Sequence, residues 1–190
     1  MNGSSRGVLF AAFVLLVVGL MGILHLQGRI WWCACGEPSV WNGEIFSGHT
    51  SQHLVDHYSF THVLHGVLFF GLAWWLFPRW RFGWRLWFAV LIEAVWELVE
   101  NSPMVIQRYR EATIDKGYLG DSVLNSAGDL LSCAIGFLIA ARLGLKKSIV
   151  FYVAVELLLL FWIRDNLTLN VIMLLHPIEA IKEWQAAGGV

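Results

Sequence analysis

Glu93, Glu97 and Glu100 recur at i, i+4 and i+7, and Asp121, Asn125 and Asp129 at i, i+4 and i+8. Each set shares one face if its segment is helical. His62 and His65 stand three apart in an apolar stretch nearby. Two carboxylates in a low-dielectric pocket release their protons at different pH, so one can act as general acid and the other as base. A histidine can serve as base or metal ligand, and an arginine can hold an anionic phosphate. That is the chemistry of hydrolysis or group transfer. On this reading Glu97 and Asp121 form the acid/base pair, His65 is their partner and Asn125 orients them, while Arg164, Asp165, Asn166 and Glu100 bind substrate.

The elements that must position these residues are apolar. Of 190 residues 57% are hydrophobic and 14% charged, mean hydropathy is +0.62 and the net charge is -1. A water-soluble domain of this size needs more polar residues to cover its surface, so the excess is expected to face lipid. Without basic runs, nucleic acid is excluded as a partner. The sequence predicts a single all-α membrane domain over 1–190, an integral helical bundle with about five transmembrane helices at 8–26, 61–77, 84–100, 121–143 and 148–163. An outer loop covers 28–60, where Gly36, Pro38, Asn42, Gly43 and Gly48 break any long period. Asn101-Ser102-Pro103 stops the third helix and starts a short one. In the tail, 164–190, Val171 to Leu175 and an amphipathic stretch after Pro177 are too short and polar for a sixth span, so they lie at the interface or re-enter the bundle.

Arg79, Arg81 and Arg85 in one turn, and Arg142, Lys146 and Lys147 in another, mark the cytoplasmic side and put the N-terminus there, in a cell inner membrane. The polar ends of four spans then meet in one outward-facing pocket. A charge at the centre of a membrane helix costs roughly 2.5–3.5 kcal/mol, so each needs a reason. The bland reason is hydrogen bonding across helices, for which Glu93 and Glu156 are the best candidates.

Five of the seven histidines, His49, His53, His57, His62 and His65, fall between 49 and 65. The first three, four apart, would line one side of a helix. No His-Glu-x-x-His motif accompanies them, a solvated histidine face is the simpler reading, and no metal is assigned. The cofactor is unknown. Cys33 and Cys35, two apart, could close only a strained disulfide, and Cys133 reads as a small apolar helix residue.

The strings Trp32 to Gly36, Ser47 to Val55, Glu97 to Asn101, Gly120 to Asn125 and Arg164 to Pro177 closely resemble an uncharacterised family of small bacterial multi-pass inner-membrane proteins, filed as a domain of unknown function. That resemblance implies a cell-membrane location and no activity. A weaker similarity to VanZ-like membrane proteins rests on His65, Glu97, Asp121, Asn125 and Gly128 in that order, and implies a cell-envelope setting. Here the loop between Glu97 and Asp121 is longer than in that pattern. The function expected is a membrane-embedded hydrolase or transferase acting on a lipid or polyprenyl-linked envelope substrate, with membrane lipids as partners. The alternative is a non-catalytic accessory or lipid-binding membrane protein.

Overall fold

A computed structural model describes residues 3–37, 39–45 and 47–187; Pro38, one of the expected loop breakers, lies outside them. Within the described residues seven helices follow in order: α1 Gly3–Leu26, α2 Ser59–Leu76, α3 Phe82–Glu100, α4 Pro103–Ala112, α5 Val123–Ile163, α6 Leu167–Leu175 and α7 Glu179–Ala186. Among the described residues there is no strand, only an isolated bridge between Trp41 and Val55.

Helix starts are set by local side chains. Ser102 caps α4 at the amide of Val105 with Pro103 in the first turn, and Ser122 caps α5 at the amide of Asn125. Asp56 accepts from the amides of Tyr58 and Ser59 at the start of α2. α5 is not straight. Gly144, at φ 71° and ψ 170°, leaves the helical region and divides it into arms 123–143 and 145–163. Only glycine occupies that backbone conformation readily. Ser59 of α2 bonds Asp129 in the first arm, and Tyr58 bonds Asp165 just past the second, so both arms return to the same end of α2. The two arms therefore form a hairpin, matching the expected fourth and fifth helices.

Small residues let α2 approach the first arm. A Cβ added at Gly136 would lie 1.9 Å from the Val63 carbonyl oxygen, and one at Gly66 would lie 2.0 Å from that of Cys133. Gly128, Ser132, Gly136 and Ala140, all buried, form the small-residue stripe that such contact requires. Apolar packing completes the bundle: Leu20 and Leu24 of α1 meet Val90, Ala94, Val123 and Leu130, while Leu64 of α2 meets Val155, Leu159 and Ile163 of the second arm.

Among the described residues two helices, Ser5–Leu26 and Ser59–Leu76, are long and apolar enough to cross a membrane, rather than about five. Charge accounts for α3, which carries Arg85, Glu93, Glu97 and Glu100, and for the second arm of α5, which starts with Lys146 and Lys147 and carries Glu156. The expected outer loop is irregular, with Ser51 at positive φ, so His49, His53 and His57 do not share a helix face. The tail forms two short helices. Arg108 donates to the carbonyls of Leu174 and Leu175 at the end of α6, while Lys182 of α7 donates to that of Glu111.

Candidate functional site

His62 and His65 lie one turn apart on α2, facing Glu93 and Glu97 one turn apart on α3. Glu93, with no exposed surface, receives Nδ1 of His62 and lies 3.1 Å from Nδ1 of His65. The same His62 Nδ1 is 3.5 Å from Glu97 Oε1, and its Nε2 is 3.8 Å from Asp129 Oδ2. One imidazole thus faces three carboxylates, and Ser59 holds the third through a 2.8 Å bond to Asp129.

Glu97 differs from its neighbours. Both of its carboxylate oxygens are buried without a hydrogen-bond partner, as is Oε2 of Glu100. Buried charge without donors is strongly unfavourable, so an ionised carboxylate here needs a cationic neighbour, and His62 Nδ1 is the one beside Glu97. His62, Glu97 and Glu100 offer ligand atoms within 4.8 Å of one another, as do His62, His65 and Glu93. A cavity of about 290 Å³ reaches His62 and His65, with walls that include Phe69, Ile92, Trp96 and Leu174. Tyr58, Tyr109 and Asn170 line it, and they also line a smaller cavity of about 50 Å³ containing Asp115, Tyr118 and Asp165.

The other expected site residues fall into place around this cluster, and several do different work. Asp121 is not bonded to Glu97. Its Oδ2 accepts from Asn101 at 2.7 Å and its Oδ1 from Tyr118 at 2.8 Å. Asn125 donates to the His53 carbonyl at 2.8 Å, tying the outer loop to α5. Arg164, at positive φ, donates to the Trp184 carbonyl and lies 5.5 Å from the Trp184 ring centre, so it holds α7. Asn166 caps α6 at the amide of Leu169. Asp165 accepts from Tyr58, Asn170 and the amide of Asn166. Burial raises its carboxyl to about 7 even though these bonds pull it down. Asp56, equally enclosed, is also raised by burial, against the amides of Ser51, Tyr58 and Ser59.

Glu156 accepts from the amides of Leu167 and Thr168 and so anchors the start of α6, a purely structural use. Glu93 does bond across helices, but it does so to both histidines and sits at the centre of the cluster. His62 and Asp129 complete it. Their signal in the sequence was burial cost, since each is a titratable group inside an apolar helix. Outside this cluster, His49 and His53 meet Cys33 and Cys35, whereas His57 turns away to pack edge-on against Trp41 and Trp162.

Residues 24–187 match a family model described as "Protein of unknown function (DUF2585)". A UPF0314 protein of Paracoccus denitrificans is 46% identical over 178 residues, covering 94% of this chain and 92% of its own. One from Sphingopyxis alaskensis is 47% identical over 188 residues, covering 98% and 99%. Another, from Agrobacterium fabrum, is 50% identical over 165 residues, covering 87% and 83%. No solved structure matches the chain significantly. With most of its length aligned to the family model and to these relatives, the chain belongs to this bacterial family of unknown function.

Proposed function

We propose that the protein is a multi-pass inner-membrane enzyme, a hydrolase or transferase whose pocket acts on a lipid or polyprenyl-linked envelope substrate. The membrane reading is supported by an inverted distribution of polarity. Glu93, Glu97, Asn101 and Asn125 are buried, while Phe10, Leu15, Trp75 and Phe161 are each more than 70% exposed. Water would penalise that arrangement and lipid favours it. Five long helical segments, α1, α2, α3 and the two arms of α5, run between two ends of the bundle. Arg81 donates to Ser5 at one end, and Gly144 lies near Trp74 there, so the N-terminal region and both basic turns are together. On this reading that end is cytoplasmic and the His62 cluster opens outward.

The observation that carries the catalytic reading is Glu97. Its undonated carboxylate stands beside His62 and Glu93, and an apolar cavity reaches the same histidine. Such a cavity suits an acyl or prenyl chain. His62, which lines the cavity, then exchanges a proton with the reacting group with Glu97 behind it as its acid partner, while His65 is the accessible partner and Glu93 holds both histidines in orientation. Asp121 and Asn125 position the loop above. The order of His65, Glu97, Asp121, Asn125 and Gly128 shared with VanZ-like proteins agrees with an envelope setting.

The test is complementation of a deletion strain with Glu97→Gln and His65→Asn, followed by envelope lipid profiling. Both variants should insert at wild-type abundance yet leave the deletion profile uncorrected. Full correction by both would overturn the enzyme reading in favour of non-catalytic lipid binding, which needs the cavity and no proton transfer.

A further inference from the structure

We propose that Cys33, Cys35, His49 and His53 form a structural zinc site that closes the outer loop beside the start of α5. It is separate from the His62 cluster and does not rest on the enzyme reading. The four side chains offer ligand atoms that all lie within 4.8 Å of one another. Cys33 Sγ is 3.3 Å from His49 Nδ1, and His49 Nδ1 is 3.3 Å from His53 Nε2. In tetrahedral zinc, with bonds of about 2.3 Å to sulfur and 2.0–2.1 Å to nitrogen, ligand atoms sit roughly 3.3–3.8 Å apart. Both measured separations lie at the short edge of that range.

Hydrogen bonding accounts for the arrangement less well. An imidazole Nδ1 has one in-plane orbital, which either donates one proton or accepts one. Here it faces a sulfur and a second ring nitrogen at equal distance. A single cation meets all four atoms together. Two thiolates and two imidazoles are the ligand set of a closed Cys2His2 zinc site, and binding releases the two thiol protons to solvent.

The ligands are held from outside the site as well. The amides of Val123 and Leu124 donate to the carbonyls of Ile30 and Trp31, just before Cys33. Asn125 donates to the carbonyl of His53, and Ser122 to those of Ser51 and Gln52. The start of α5 therefore grips both ligand-bearing segments, and a metal between them would close the loop.

Metal analysis of the full chain, carrying a histidine-free affinity tag and purified in detergent under reductant, tests the site. One zinc per chain is expected, falling at least tenfold in Cys33→Ser and His53→Asn and unchanged in His65→Asn. Cobalt loaded in place of zinc should show thiolate-to-metal charge transfer and intense tetrahedral d–d bands in the wild type. Because Cys33 and His53 are buried, the exposed Cys35→Ser serves as a milder variant, expected to weaken those bands while the chain stays folded. Wild-type protein lacking both zinc and the cobalt bands would overturn the proposal. So would zinc that persists in Cys33→Ser and is lost in His65→Asn.

Discussion

Asn101 and Asp121 hold each other through two hydrogen bonds of 2.7 Å, one in each direction: the Asn101 amide donates to the Asp121 carboxylate, and the Asp121 backbone amide donates to Asn101 Oδ1. This exchange fixes the chain entering α5 to the end of α3. It also occupies the carboxylate that the sequence pairs with Glu97. Asp121→Asn should therefore lower stability by about 1–3 kcal/mol, the cost of disturbing buried hydrogen bonds, and with it the thermal midpoint. Glu97→Gln, which removes a carboxylate lacking donors, should leave stability equal or higher. Thermal unfolding of both variants in detergent separates the two roles.

The His62–Glu93 contact predicts strong coupling. Removing one partner of a buried ion pair costs about 3–5 kcal/mol because the other is left uncompensated. Glu93→Leu and His62→Leu should each destabilise on that scale, and the double variant should cost clearly less than their sum. Additive losses in a double-mutant cycle would show that the contact contributes little.

Close helix approach predicts opposite signs for chemically identical changes. Gly136→Ala and Gly66→Ala force a methyl group onto backbone oxygens and should cost about 1–3 kcal/mol or more. Gly71→Ala, on the same helix as Gly66 with open space around it, should stabilise by roughly 0.5–1 kcal/mol. Midpoints of the three variants, measured side by side, check this.

Asp165 predicts a pH dependence. Its carboxyl lies at about 7 in the folded chain against an ordinary 3.8. The folded state thus binds the proton more tightly, and the resulting stability is fully present below the ordinary value and lost as pH rises through about 7. The loss is on the order of 4 kcal/mol at most. Wild-type stability should fall between pH 4 and 7 more steeply than that of Asp165→Asn, and the slope contributed by Asp56 should remain in both. Parallel pH profiles would refute the role of Asp165.

Helix positions and the titratable groups set into apolar helices were legible in the sequence. Each is a local property, set by hydrophobic period, capping residues and the cost of burying charge. The stop at Asn101-Ser102-Pro103 became α4, and the arms of α5 meet at a glycine in the gap left between two expected helices. Partner choice was decided by tertiary structure. Asp121 turned to Asn101 and Tyr118, and Arg164 to Trp184, because loop geometry and a left-handed backbone direct those side chains. Cys33 and His49, sixteen residues apart in an irregular loop, meet only where the start of α5 holds both segments. Glu93, expected to be a structural acid bonding across helices, became the centre of the histidine cluster because small residues draw α2 against α5 and helix packing sets α3 beside them. Spacing along one chain defines faces; which faces meet depends on long-range packing that no local period encodes.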